Sequence, residues 1–210
     1  MNQETSFFWD MMKLLILLLH LPSLTLGQSL HIKGGVDVST QLLLNTTLSD
    51  NNLFSEAEVN IYTIPGIHVE SLFNYPLNEI AEIGLGIRWE SEPREQKKLE
   101  SVGFNTLPLF IAGQCNLVPF GSFHLKVSGR VGYNLVGLTR ETFSNVDEQH
   151  GGVYYGAGIS AEGKGPDPLI WEFLYSVSNV TFNNAIGPKK IEHSYRYAKA
   201  GVTVGKRFDY

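Results

Sequence analysis

The sequence predicts an all-β fold, a closed eight-stranded antiparallel up-and-down transmembrane β-barrel, on three observations. Eight runs alternate apolar with polar residues at period two. The connectors between them alternate long and short, so an antiparallel meander collects all the long ones at one end. The polar side of the alternation mixes glycine with long charged residues, while the apolar side carries aromatic residues near the ends of runs.

The first run covers residues 30–42, where Leu30, Ile32, Val36, Val38 and Leu42 alternate with His31, Lys33, Asp37 and Gln41. The second covers 59–75, from Val59 to Tyr75, and stops at Pro76. A third sets Ala81, Ile83, Leu85, Ile87 and Trp89 against Glu82, Gly84, Gly86, Arg88 and Glu90. The fourth, 104–117, alternates poorly because Pro108 and Phe110 fall on its polar side, which predicts a bulge or kink there. Alternation returns in 122–135, with Lys126, Ser128 and Arg130 opposing Leu125, Val127 and Val131. It continues in 153–162 and 169–178, where Ile170 and Leu174 are exceptions, and ends in 198–210. Long connectors are expected at 43–56, 91–102, 137–152 and 181–194, and short ones at 76–78, 118–120 and 163–167.

Composition narrows the class. The chain has 210 residues, with 16 Lys and Arg against 21 Asp and Glu, and no basic run longer than Lys97-Lys98 or Lys189-Lys190. A nucleic-acid partner is therefore not expected. One cysteine, Cys115, excludes an internal disulfide and a CxxC site. Lys13, the apolar stretch 14–26 broken by His20 and Pro22, and the small residues Thr25 and Gly27 read as a secretory signal peptide, 1–27, removed from a barrel domain at 28–210. Glu4 and Asp10 precede Lys13 without a cation, which makes Met11 or Met12 alternative starts to Met1. An apolar run of this length is short of the ~20 residues of a spanning helix, so any membrane crossing falls to strands.

Period two alone leaves the inside face open. A soluble lipocalin-type barrel would turn the apolar face inward around an apolar ligand. The glycines of the polar face, among them Gly35, Gly84, Gly86, Gly132, Gly156, Gly158, Gly201 and Gly205, instead suit a cramped lumen, since a solvated face needs none. Tyr75, Trp89, Tyr133, Trp171, Tyr175, Phe208 and Tyr210 on the other face suit aromatic girdles at the headgroups. Lys206 is the exception on that face. The inward polar face then encloses Lys33, Asp37, Glu58, Glu70, Glu82, Arg88, Glu90, Lys126, Arg130, Glu162, Glu172, Lys199, Arg207 and Asp209. Enclosed charges must be paired and hydrogen-bonded, so an ion network plugging the bore is expected.

Residues 154–159, the Val131-Gly132-Tyr133-Asn134 stretch and the final run from Ala200 to Tyr210 resemble the small eight-stranded outer-membrane barrels of diderm bacteria, the OmpA/OmpX-like group. The resemblance implies an outer-membrane location, contact with outer-membrane lipid and lipopolysaccharide, and a terminal strand whose Phe208 and Tyr210 are read by the barrel assembly machinery. The family usually ends in Phe, from which Tyr210 departs. No peptidoglycan-binding domain follows the last run, so a tethering role is not expected.

Chemistry-bearing motifs are weak. GxxxxGK at 158–164 is followed by Gly165 rather than Ser or Thr, and by no helix. His68 with Glu70, and Ser122 with His124, share a face, but no third member or oxyanion donor accompanies either pair. The expectation is a non-enzymatic, monomeric barrel without cofactor or metal, its structural or adhesion-like role carried by the four long loops. The rivals are the apolar-ligand barrel, an outer-membrane enzyme and a narrow channel.

Overall fold

The computed structural model describes residues 27–50, 53–63, 66–91, 104–138, 148–166, 168–186 and 189–210. The expected leader, apart from Gly27, and the central parts of the connectors after residues 91 and 138 lie outside these residues.

Ten strands form one antiparallel sheet: β1 (Ser29–Asp50), β2 (Leu53–Thr63), β3 (Ile67–Pro76), β4 (Ala81–Ser91), β5 (Phe104–Phe120), β6 (Phe123–Leu138), β7 (Glu148–His150), β8 (Gly152–Gly163), β9 (Leu169–Ile186) and β10 (Lys189–Asp209). β1 pairs with β10 from Ser29↔Asp209 to Ser49↔Lys190, which closes the sheet. The staves number eight, because β2 and β3 follow one another along β1, as β7 and β8 do along β9. Closure pairs the staves all the way round, as strands in hydrocarbon require, while among the described residues β2 and β7, toward the long-connector end, ladder with β1 and β9 alone.

The faces are inside out relative to a soluble barrel. Ile32, Leu85, Ile111, Val131, Ile159 and Phe173 stand in the open on the outer face, as do Tyr75, Trp89, Tyr133, Trp171 and Tyr175. Lys33, Glu70, Arg88, Arg130 and Glu172 are buried inside. This removes the soluble reading with an apolar ligand pocket: the apolar face is the exterior. Lys206 sits with its Nζ 5.3 Å from the centre of the Phe208 ring, a cation–π contact near the chain end.

Several expectations need correction. The connectors 43–56 and 181–194 are largely strand, since β1 runs on to Asp50, β2 starts at Leu53, β9 reaches Ile186 and β10 starts at Lys189. For β1 the cause is a β-bulge between Asp37 and Ser39, whereas β9 and β10 pair in one unbroken register from Lys189↔Ile186 to Lys206↔Leu169. Before the bulge, odd residues of β1 pair with odd residues of β10, as in Lys33↔Gly205; beyond it, Thr40, Leu42 and Leu44 pair with Lys199, Tyr197 and Tyr195. One extra residue shifts the phase of alternation, so a fixed parity loses the strand at residue 42. Opposite the bulge, Asp37 N–H donates to Gly66 O at 2.9 Å.

β5 keeps one register past Pro108, with Ile87↔Leu109 and Glu90↔Thr106, while the two pairs between them lapse. Proline has no N–H to give the ladder there. The register shift lies instead between Asn116 and Val118. The short turns also begin later than expected, because β5 extends to Phe120 and β8 to Gly163. Asp209 is exposed at the rim rather than enclosed, and the side chain of Glu58 lies outside the described ones.

Stave length is uneven. β1, β10 and β9 have 22, 21 and 18 residues, whereas β3, β4 and β8 have 10, 11 and 12. A tilted spanning strand needs ~9–11 residues, so one side of the wall stands well beyond the bilayer at the long-connector end.

The bore fills by pairing large residues with glycines across strands. Lys33 faces Gly205, Asp37 faces Gly201, His68 faces Gly35, Asn74 faces Gly84, Arg130 faces Gly156, and Phe110 faces both Gly86 and Gly132. A Cβ at Gly35 would run into the Val202 carbonyl and the His68 imidazole. Gly35→Ala is therefore expected to cost about 1–3 kcal/mol, the usual penalty of overpacking, in urea unfolding from lipid vesicles. Ala at Gly129, where a Cβ would meet nothing within 4 Å, is the control and should leave the midpoint in place.

Candidate functional site: the ion-paired bore

Ladder register explains the first contacts. Lys33, Glu70 and Arg88 lie in one cross-strand row over β1, β3 and β4. Lys33 Nζ is 2.8 Å from Glu70 Oε1, and Arg88 Nη1 donates to Glu70 Oε2 at 3.4 Å. Barrel curvature supplies the rest. Arg130, three staves away on β6, reaches across to ion-pair with Glu70 and with Glu172 of β9. Glu172 also accepts from Lys33 Nζ at 2.7 Å and Ser128 Oγ at 3.2 Å.

A second branch leaves Arg88. Its Nε is 2.7 Å from Glu90 Oε1, and Glu90 Oε2 accepts from Lys199 Nζ at 2.6 Å and from Thr106 Oγ1 at 3.0 Å. Arg88 Nη2 lies 3.8 Å from Asp37. Toward the short-turn mouth, Lys126 bridges Glu82 at 3.0 Å and Glu162 at 2.7 Å. Arg207 also holds Glu162, at 2.7 Å, and turns its Nε to Asp209. The arrangement thus has an inner cluster around Glu70 and an outer one around Glu162.

All eleven charged residues singled out from the sequence, Lys33, Asp37, Glu70, Glu82, Arg88, Lys126, Arg130, Glu162, Glu172, Lys199 and Arg207, are brought into these two clusters. Arg207 is the least enclosed, with 23% of its side chain accessible. Phe208 and Tyr210 stand apart from them on the last strand and its end, Phe208 paired with Leu30 and Tyr210 N–H donating to Gln28 O at 3.0 Å.

Sequence reasoning missed one constellation. His68 Nδ1 lies 3.2 Å from Asp37 Oδ1, and its Nε2 lies 3.1 Å from Thr203 Oγ1. This is the carboxylate, imidazole and hydroxyl order of acyl-transfer triads. All three side chains are fully buried, so the set closes β1, β3 and β10 together inside the wall. The signal that could have found it is the pair of glycines, Gly35 and Gly201, opposite His68 and Asp37. Phe110 was also placed only as an irregularity; it packs inward, 5.5 Å from Tyr154 and beneath the Arg130 guanidinium at 5.2 Å. Among the described residues no group of three or more His, Cys, Asp or Glu is arranged to hold a metal ion.

No protein-family model matches the chain, and no curated protein does. Among solved structures it is similar to Neisserial surface protein A, at 10% identity over 86% of this chain and 97% of that one, with a TM-score of 0.45. It is also similar to the outer membrane protein AlkL in lipid bilayers, at 14% identity over 89% and 92%, TM-score 0.42. A third is the outer membrane protease OmpT of Escherichia coli, at 9% identity over 88% and 97%, TM-score 0.40. By its own closed ladder, charged interior and apolar exterior, the chain has the fold of a small eight-stranded outer-membrane β-barrel.

Proposed function

We propose that the protein is an integral β-barrel of the bacterial outer membrane whose bore is closed and whose working part is the long-connector end, with a structural or surface-interaction, adhesion-like role rather than catalysis or transport. The observation that carries this reading is the trans-bore ion pairing of Arg130 with Glu70 and Glu172. An eight-strand bore is just wide enough for side chains to fill, and such pairs occupy it in place of water. Lys33, Arg88, Lys126, Arg130, Lys199 and Arg207 are matched in number by Asp37, Glu70, Glu82, Glu90, Glu162 and Glu172, so these enclosed groups carry no net charge to favour ions of either sign.

The tall side of the wall, formed by β1, β2, β9 and β10, supports the second half of the reading. Paired strands hold a binding surface more rigidly than loops do. In this proposal the barrel is a monomer, the belt contacts outer-membrane lipid and lipopolysaccharide, Phe208 and Tyr210 serve the barrel assembly machinery, and an extracellular partner binds over 43–56, 91–102, 137–152 and 181–194. The buried Asp37, His68 and Thr203 set favours an enzyme only if a substrate reaches it, and its full burial assigns it to holding the wall.

The test combines fractionation with conductance. The folded chain should run as a heat-modifiable band from the outer-membrane fraction and give no unitary current steps in planar lipid bilayers. Reproducible steps would overturn the closed bore, and recovery in the soluble fraction would overturn the membrane assignment.

A further inference from the structure

The short-turn end carries apolar side chains where a barrel turn ordinarily carries polar ones. Leu77 and Ile80, in the turn between β3 and β4, are 60% and 62% exposed. Next to them Leu117 and Phe123, flanking the turn between β5 and β6, are 54% and 42% exposed. The backbone beneath Leu77 and Ile80 is pinned by hydrogen bonds. Asn78 Oδ1 accepts from the N–H groups of Ile80 and Ala81, both at 2.8 Å, and Leu77 N–H donates to Ala81 O at 2.9 Å. Asn116 joins the two turns into one surface: its backbone N–H donates to Ile80 O at 2.7 Å and its amide to Glu79 O at 3.0 Å.

The tip of the third short turn differs, since Lys164, Gly165 and Pro166 are exposed there, and its nearest large apolar group, Leu169, 55% exposed, already belongs to β9. The turn tips therefore differ: apolar between β3 and β4, polar after β8. The apolar side continues the outer belt without a break, because Tyr75 and Ile83, 43% and 42% exposed, lie directly above Leu77 and Ile80. An exposed apolar patch continuous with a lipid-facing surface is matched by more lipid.

We infer that the β3–β4 turn with Leu77 and Ile80, and the adjoining strand ends with Leu117 and Phe123, are embedded in the phospholipid of the adjoining leaflet, so that the bilayer boundary crosses the barrel on a slant, lower at β3 to β6 than at the turn after β8. The inference rests on the lipid-facing reading of the belt and adds which rim residues extend it. Slanted boundaries of this kind are the way a wall of uneven apolar height meets a flat bilayer.

Single cysteines at Leu77, Ile80, Leu117 and Lys164, with Ile159→Cys as a mid-belt control, all in a Cys115→Ser background, are spin-labelled in vesicles of phosphatidylethanolamine and phosphatidylglycerol. Heat-modifiable mobility selects the folded variants, and four independent sites keep the test alive if one fails to fold. The ratio of oxygen to water-soluble nickel-chelate collisions should be severalfold higher at 77, 80 and 117 than at 164, and highest at 159. Aqueous ratios at 77 and 80 with a lipid ratio at 159 overturn this inference alone. An aqueous ratio at 159 overturns the belt itself. Dipolar broadening at 77 or 80 would identify a second copy as the occupant, and shielding from both reagents a protein partner; either result overturns the lipid assignment.

Discussion

Glu70→Ala should destabilise the folded barrel by about 3–5 kcal/mol, the cost of breaking a buried ion pair from one side. Glu70 is fully buried and is held by three cations, Lys33, Arg88 and Arg130. Its removal leaves each of them a remaining carboxylate, Glu172 for Lys33 and Arg130 and Glu90 for Arg88, but the inner cluster then carries an uncompensated positive charge. Charge left over in an enclosure costs more than the lost contacts themselves. Urea unfolding from phospholipid vesicles, followed through Trp89 and Trp171 on the outer face, measures the effect. Glu192→Ala, exposed on β10 toward the long-connector end, should stay within about 0.5 kcal/mol of the parent. The double variant Glu70→Ala with Arg130→Ala should lie well short of the sum of the two single ones, because deleting both partners of a pair removes the stranded charge. If Glu70→Ala unfolds with the Glu192→Ala control, the cluster does not hold the folded barrel together.

What the sequence reveals of this barrel follows from how local each constraint is. The alternation in β4, β6 and β8 is written residue by residue, since neighbouring side chains of a strand point to opposite faces. The inward face was legible for the same reason, as glycine beside arginine or lysine has a use only where space is short. The hairpin of β1 with β2 was not legible, because the bulge at Asp37 and Ser39 shifts the phase and Leu42, Leu43 and Leu44 then read as no alternation at all. That of β9 with β10 keeps one register but runs through Asn179, Asn183 and Asn184, residues that read as a loop. Phe110 was misread as a flaw in β5, although it fills the space left by Gly86 and Gly132 on the two flanking strands. Which charges touch which was beyond any local rule. Lys33 and Glu172 are 139 residues apart, and only closure and curvature bring them within 2.7 Å. The same holds for His68 and Thr203, 135 residues apart.

Ile159→Arg should destabilise the barrel by about 2–4 kcal/mol, the cost of a cation on the lipid face at mid-bilayer depth. Ile159 is 58% exposed in the middle of β8, between Val127 on β6 and Phe173 on β9. In water such an exposed site would take arginine for a few tenths of a kcal/mol, so the size of the penalty reports the solvent and not the fold. The neighbouring Ser160 is buried and faces the bore, where its register partners are Lys126 and Glu172. Ser160→Ala removes only a hydroxyl and should cost about 1 kcal/mol or less. Adjacent positions on one strand thus give opposite orders of tolerance from those of a soluble barrel, in which the apolar residue would be the enclosed one. Depth adds a second axis to the same measurement. Arginine at Val153, nearer the long-connector end of β8, should cost about 0–1 kcal/mol if that position lies at the interface, where the guanidinium reaches headgroups. A flat profile, with Ile159→Arg and Val153→Arg both near the parent, would mean that water rather than lipid surrounds β8.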